Sequence, residues 1–374
     1  MKAQLIGPWV EDKAELNVEE NAQGSLYVPA YIEEIGQQVL KYYDFRQVQS
    51  MTVMATKPLK GGAIWKIETD KGPFSLKLLH RRPTQSKFSL GAQEYLVKEK
   101  QAKVPAIIKT KNGENYVEMG GKLWFVAEWV ETLRPLPDDL EGTKRLCSTL
   151  GTFHKLSKGY IPPEDAETVS RLHRWPRTYE RIDKKMDWFR DIANVYKEMP
   201  ASATILSVLD MFQQQAREAQ TRLENSCYPD ILARGTEDAC LVHQDYGWSN
   251  AQLADDGMWV IDLDGVSYDI VIRDLRKLII DRMHAIGRWD IDWIREMIRA
   301  YHQANPITDE VFDMLMIDLS LPNQFYKTIK YIVYSPTTFM TEALDQELQF
   351  LVELDKQKWP VLDQLEKERR TLIK

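Results

Sequence analysis

Cysteine is scarce in this chain. Among 374 residues there are three, Cys147, Cys227 and Cys240. The number is odd and no C-x-x-C pair occurs, so neither a disulfide framework nor a zinc site of ordinary spacing is expected, and a reducing interior is the default. Long uncharged apolar runs are missing as well, which speaks against a helical membrane span. The start, MKAQLIGPWVEDKAEL, has one early lysine and a short apolar stretch that Glu11 and Asp12 break well before signal-peptide length. Cytoplasmic synthesis without export is the expectation. There is no basic excess: the formal net charge is -7, which takes weight from nucleic-acid binding. No internal repeat or low-complexity tract is found. What remains is an ordinary globular balance, 44% hydrophobic and 28% charged, in a chain long enough for two or three structural units.

Residues 1–24 have weak periodicity and end in the turn-like Asn21-Ala22-Gln23-Gly24, as a loosely held N-terminal extension would. A short helix is expected over 29–43, with Ile32, Ile35, Val39 and Leu40 on one face. Strands fit 47–55, 63–69 and 74–79, separated by the turns Lys60-Gly61-Gly62 and Asp70-Lys71-Gly72. A helix over 86–102 and strands over 106–110, 116–119 and 122–130 complete this part. After Leu133-Arg134-Pro135-Leu136-Pro137 the pattern turns helical, with candidates at 140–156, 179–196, 203–225, 272–286, 291–304, 309–319 and 342–356. One strand pair, 251–253 and 258–263, interrupts them. The expectation is an α+β chain, with an antiparallel-sheet unit over 25–132 and a larger helical unit over 133–374.

The sharpest chemical signal is His243-Gln244-Asp245-Tyr246-Gly247-Trp248-Ser249-Asn250, followed by Trp259-Val260-Ile261-Asp262-Leu263-Asp264. Phosphoryl transfer from ATP needs a carboxylate to orient the acceptor hydroxyl, and an oxygen donor and a second carboxylate to hold magnesium on the phosphates. An H-x-D with an asparagine five positions after the aspartate supplies the first two from one loop. The carboxylate ending a nearby apolar strand supplies the third. A chance hairpin could carry the same residues, but the ordered set is more specific than any single pair.

This wording resembles the aminoglycoside phosphotransferase and choline kinase group, whose loop reads H-G-D-x-x-x-x-N. Within that group, Ile-Asp-Leu-Asp with Tyr-Asp and Asp-Leu-Arg-Lys-Leu is most similar to the spore-coat CotS-type kinase-like proteins of endospore-forming bacteria. The resemblance runs from about Ile32 to the C-terminus and is dense over 241–278. The segment Leu-Cys-Ser-Thr-Leu-Gly-Thr-Phe-His, ending at His154, also resembles the helix that opens the second lobe of such kinases. The resemblance implies a bilobal protein-kinase-like fold, with ATP and Mg2+ as cofactors and a small-molecule acceptor. It makes Asp245 the catalytic base, Asn250 and Asp262 the metal ligands, and His243 a packed brace of the loop. Gln244 departs from the family's glycine. Asp264 reads as a turn residue, the alternative being a second acidic metal partner, and Asp274 as a helix-start residue that also pins the loop.

In the sheet unit, Phe74-Ser75-Leu76-Lys77-Leu78-Leu79 reads as a buried strand holding one lysine, which needs a partner because an unpaired buried charge is costly. In the kinase plan that lysine holds ATP phosphates and pairs with a glutamate on the following helix. Glu94 is the matching candidate; the alternative is an outward Lys77 and a surface Glu94. Gly61 and Gly62 could let backbone amides approach phosphates, though most double glycines are turns. The family plan puts adenine contacts on the backbone of Ala127 and Trp129. It also implies deposition in the spore coat among other coat proteins; that neither nucleic acid nor membrane is a partner follows from the charge and the missing apolar runs noted above. A second reading is a structural coat protein that keeps the kinase fold with little or no turnover. The acceptor, the oligomeric state and the role of the extension are not legible.

Overall fold

The computed structural model describes residues 5–9, 26–236 and 239–374. Contacts divide the chain into two units. The first takes the residues up to Pro135 with Tyr160–Val169 and Trp248–Val266, and the second takes Leu136–Gly159, Ser170–Gly247 and Ser267–Lys374.

The first unit opens with helix α1 (Ala30–Leu40), followed by β1 (Val48–Lys57), β2 (Gly62–Thr69), β3 (Gly72–Leu78), helix α2 (Pro83–Lys98), β4 (Ile107–Ile108), β5 (Val117–Met119) and β6 (Lys122–Glu128). The strands form one antiparallel sheet in the order β1-β2-β3-β6-β4, with β5 also on β6. Successive side chains of a strand point to opposite faces, and this alternation builds two cores. Leu76 and Leu78 of β3 and Trp124 and Val126 of β6 share one core with Ile32 and Val39 of α1. There Trp65 stacks on Trp124 with ring centroids 5.6 Å apart. Leu123, Phe125 and Ala127 of β6 join Leu90 of α2 in the other. Lys77 lies between Leu76 and Leu78, so it points to the second face, directly across from Phe125. A hairpin, Ala251–Ala254 and Gly257–Val260, joins this unit through paired bonds between Arg134 and Leu253.

The second unit is mainly helical: α3 (Leu140–Ser157), α4 (Trp175–Val195), α5 (Ser202–Glu224), α6 (Tyr228–Arg234), α7 (Ile272–Ile286), α8 (Ile291–Ala304), α9 (Asp309–Ser320), α10 (Asn323–Ile329), α11 (Pro336–Phe339) and α12 (Glu342–Leu372). Side-chain caps fix several starts: Asp139 accepts from the Gly142 amide at 2.7 Å, and Asp290, Thr308 and Thr341 cap α8, α9 and α12. Helix α3 approaches α8 closely at Gly151, where a Cβ would lie 2.8 Å from the Tyr301 carbonyl oxygen.

An antiparallel sheet followed by helices is the architecture expected from the sequence. Differences are local. Helix α12 runs through Pro360 to Leu372 rather than stopping near 356. Leu348, Leu351, Leu354, Leu362 and Leu365 keep a buried stripe across the proline, and that burial offsets its lost hydrogen bond. Helices α6, α10 and α11 and the paired strands Cys240–Val242 and Ser267–Asp269 were not anticipated. Of the expected N-terminal extension, only residues 5–9 fall among the described residues. The Ile6 amide donates to the Gly120 carbonyl and the Trp9 amide to the Pro58 carbonyl.

Candidate functional site

Within the sheet unit, β3 aims Lys77 at the turn that follows the hairpin. Its Nζ is 3.1 Å from Asp262 Oδ1 and 3.9 Å from Asp264 Oδ1. Lys57, from the end of β1, brings a second ammonium to 3.7 Å from Asp262 Oδ2. The side chains of Lys77, Asp262 and Asp264 are 14%, 20% and 13% exposed, so this is a largely desolvated charge cluster. Burial works against the Lys77 charge, yet the carboxylates of Asp264 and Asp262 outweigh it and raise its pKa. Burial raises the pKa of Asp264; Lys77 opposes the shift and the neighbouring Asp262 adds to it. Asp262 has φ +59, a left-handed backbone at a non-glycine residue, which costs of order 1–3 kcal/mol and clusters at functional sites. Asp264 is in the turn, as expected, but its carboxylate also faces Lys77, which sequence reasoning missed along with Lys57.

Glu94 is engaged elsewhere. It accepts from Lys109 Nζ at 2.6 Å and from Asn115 Nδ2, and pairs with Lys98 at 2.5 Å. Partial burial opposes its charge, but these three donors pull its pKa down to about 2. The partner expected for Lys77 is therefore replaced by the Asp262–Asp264 pair. The reason is positional: Lys109 and Asn115 flank the next turn and reach Glu94, while Asp262 and Asp264 reach Lys77.

Hard carboxylate and amide oxygens suit magnesium. Asn250 opens the hairpin, and its carbonyl accepts the Ile261 amide at 2.9 Å, tying it to the residue before Asp262. Among the described residues no group of three or more His, Cys, Asp or Glu forms a metal cluster. A magnesium ion here would share one or two protein oxygens with those of a nucleotide, as is usual for that ion.

At the turn between β1 and β2, packing accounts for both glycines. A Cβ on Gly61 (φ +68) would lie 2.6 Å from the Gly7 carbonyl oxygen, and one on Gly62 would lie 2.9 Å from His80 Cβ. The Gly61 amide turns back to the Pro58 carbonyl. The surroundings are strongly positive: burial, then the charges of Lys57, Lys60, Arg81 and Lys122, pull the His80 pKa down to about 4. Ala127 sits inside β6 between Ser75 and Ile107, and its carbonyl accepts the Ser75 hydroxyl at 3.2 Å. Trp129 follows the end of β6, with Lys66 Nζ 5.4 Å from its ring centroid.

The rest of the motif lies in the helical unit. His243 is fully buried among Phe153 and Tyr246. The buried carboxylate of Asp274, at the start of α7, accepts the His243 amide at 2.8 Å and the Gln244 amide at 3.2 Å, so it does pin the loop. Burial opposes ionisation of Asp274, but His154 and the charges of Arg273 and His243 win and hold its carboxyl well below the usual range. Gln244 has φ +74, which explains the family's glycine at this place. Its Nε2 donates to Ser267 Oγ at 2.9 Å and Asp269 Oδ2 at 3.0 Å. Asp245 stands 71% exposed, 3.2 Å from Lys277 Nζ. Lys277, one turn along α7 from Asp274, also donates to the Tyr246 carbonyl. His154 and Lys277 were missed as loop supports because nothing in their spacing points to residues so far along the chain. The chain passes from the helical unit to the sheet unit between Gly247 and Trp248, inside the motif.

The fold is that of the kinase-like phosphotransferases related to small-molecule kinases. The aminoglycoside phosphotransferase from Alicyclobacillus acidocaldarius superposes with a TM-score of 0.70 at 16% identity, covering 91% of this chain and 96% of that one. Amicoumacin kinase hAmiN, solved with AMP-PNP and Ca2+, does so with a TM-score of 0.59 at 16% identity, covering 95% and 100%. Residues 81–365 match the family described as "Spore coat putative kinase YutH", and the chain belongs to that family. Spore coat protein S of Bacillus subtilis (strain 168) is 27% identical over 341 residues, 91% of this chain and 96% of that protein.

Proposed function

We propose that the protein is an ATP- and magnesium-dependent phosphotransferase acting on a hydroxyl of a small molecule, and that it is deposited in the spore coat. The observation that carries the proposal is the desolvated Lys77–Asp262–Asp264 cluster, which holds a cation and hard oxygen donors together at high electrostatic cost. In this reading Lys77, assisted by Lys57, positions the phosphates, and the positive field at the Gly61-Gly62 turn favours them. Asp262 and Asn250 hold magnesium, which when bound neutralises phosphate charge. The main chain at Ala127 and Trp129 borders the base; Trp129 is the better placed of the two because it leaves the sheet. Glu94 acts indirectly, by fixing α2. Asp245 orients the acceptor hydroxyl. That oxygen forms a bond to the γ-phosphorus as the bond to the β,γ-bridging oxygen breaks. ADP leaves, and the hydroxyl proton passes to Asp245 and on to solvent.

The relationship to spore coat protein S favours a second reading, a coat structural protein with the kinase fold and little turnover. Its partners would be other coat proteins. Among the described residues no helix is long and apolar enough to cross a membrane. Melting curves separate the readings. Mg-ATP should stabilise the enzyme by RT ln(1 + [L]/Kd), about 2.7 kcal/mol at a hundredfold excess over Kd, and Asp262→Ala should remove most of the magnesium-dependent part. A phosphate-transfer screen over sugars, amino alcohols and amino acids follows. On any acceptor found, Asp245→Asn should fold, bind ATP and lose about 10²–10⁴-fold in turnover. No shift at millimolar ATP would leave the coat reading standing.

A further inference from the structure

The helical unit contains a cavity of about 310 Å³ whose wall is strongly basic. Arg171 and Arg174 precede or open α4, Arg181 lies along it, Arg273 and Arg276 come from α7, and Lys327 from α10. The whole chain carries a formal charge of -7, so this concentration runs against the protein's own balance.

Two acidic residues, Asp269 and Asp318, also line the cavity, but both are engaged in the wall. Asp318 accepts from Arg276 Nε at 2.7 Å and from the Tyr179 hydroxyl at 3.0 Å. Asp269 accepts from Trp175 Nε1 at 2.7 Å and from Gln244 Nε2 at 3.0 Å. Arg276 is thereby spent on Asp318, and Arg273 on Asp274 and the Gln244 carbonyl, which leaves Arg174, Arg181 and Lys327 without an ion pair among the described residues. Lys327 keeps an exposed side chain and no ion pair or hydrogen bond among the described residues. Although the residue reaches solvent, the protein packed around it, then the charges of Arg276, Lys277 and Arg273, pull its pKa down to about 8 against the opposing carboxylate of Asp281. Asn323, also in the wall, has a buried Nδ2 donor without an acceptor.

The cavity adjoins the catalytic loop. Arg273 Nη1 donates to the Gln244 carbonyl at 3.0 Å, and the Gln244 side chain reaches Asp269. The next residue is Asp245. A volume near 310 Å³ is at the small end of ligand sites, which run about 300–1,000 Å³.

Resting on the phosphotransferase reading, we propose that this cavity is the acceptor site and that the acceptor is an anion: a small hydroxylated molecule carrying a phosphate or carboxylate group. Arginine forks match both groups bidentately. A polycationic acceptor such as an aminoglycoside would meet like charge here, with the wall's two carboxylates already used.

Calorimetric titration of the full chain without nucleotide tests the site. Inorganic phosphate and citrate distinguish the two anionic groups, and choline serves as a cationic comparator. Wild type should bind at least one of the anions and not choline. The double variant Lys327→Gln/Arg174→Gln replaces two exposed side chains, so it should keep the wild-type melting temperature while binding at least 10-fold more weakly. Failure of wild type to bind either anion overturns the site, as does equal binding by the variant or tighter binding of choline. A parallel Mg-ATP melting curve keeps the two proposals apart. A nucleotide shift without anion binding removes only the anionic acceptor. Anion binding without a nucleotide shift removes the acceptor role and leaves an anion site in a coat protein.

Discussion

Gln244 stands where the family's loop has glycine, and its geometry allows a quantitative test. The residue has φ +74, and the left-handed region costs a residue with a Cβ roughly 1 kcal/mol or more relative to glycine. Its buried Nε2 makes two hydrogen bonds, one of them to a carboxylate. Together these contribute about 2–3 kcal/mol, using ~1 for the neutral bond and ~1.5 for the charged one. The buried Oε1 has no partner, which takes back about 1 kcal/mol, leaving a net gain near 1–2 kcal/mol. Gln244→Ala removes that gain and keeps the strained backbone, so it should destabilise by about 1–2 kcal/mol. Gln244→Gly also removes the bonds but relieves the strain, and should lie about 1 kcal/mol above the alanine variant. Urea unfolding followed by tryptophan fluorescence, with matched m-values, reads the difference. If alanine equals or exceeds glycine in stability, the backbone at 244 is not held in the left-handed region and the account of this loop is wrong.

Asp274→Asn should cost about 3–5 kcal/mol at pH 7, because it leaves Arg273 and His154 facing a buried neutral amide. The carboxyl is held below its unfolded value of about 3.9, so the wild type's advantage is full above that pH and is lost as pH falls below it; an unchanged difference at pH 3 and pH 7 would contradict this. Glu94→Gln should cost about 1–2 kcal/mol at neutral pH. Its folded pKa of about 2 lies below the unfolded value, so the difference should close as pH falls from roughly 4.5 towards 2, as acid titration of the melting temperature would record. Lys277→Met removes an ion pair to the 71% exposed Asp245 and a hydrogen bond to the Tyr246 carbonyl; the ion pair contributes little, so the loss should be about 1–2 kcal/mol in urea unfolding, set by the hydrogen bond.

Elements with a clean period were legible in the sequence. Helices α7 and α8 begin and end where the apolar spacing and the flanking residues place them. The sheet followed from alternation and from glycine turns. Short elements such as Cys240–Val242 and Ser267–Asp269 were not, because three residues carry no period and their pairing joins segments far apart in the chain. The site divides the same way. Lys77 was legible as a charge inside an apolar strand. Its partners were not: Glu94 sits on the expected helix, yet the side chains that reach it come from Lys98, Lys109 and Asn115. Which carboxylate meets Lys77 is decided by the turn after Val260, whose left-handed Asp262 no propensity signals.

The same cluster bears on whether the fold still works as an enzyme. A scaffold gains little from a lysine and two carboxylates held largely out of water, since replacing buried ionic groups by apolar ones of similar volume is often neutral or stabilising by about 1–4 kcal/mol. A left-handed aspartate adds further cost. Asp245 points the other way along the same argument: at 71% exposure, with Lys277 as its ion-pair partner, it contributes little to stability, and a coat protein would lose little by dropping it. Costly groups at one end of the motif and an exposed carboxylate at the other are not what packing alone selects, which supports the nucleotide chemistry proposed above. The Asp245→Asn and Asp262→Ala variants therefore carry different information. The first tests turnover without touching the fold, and the second tests nucleotide binding at the point where the fold bears its electrostatic cost.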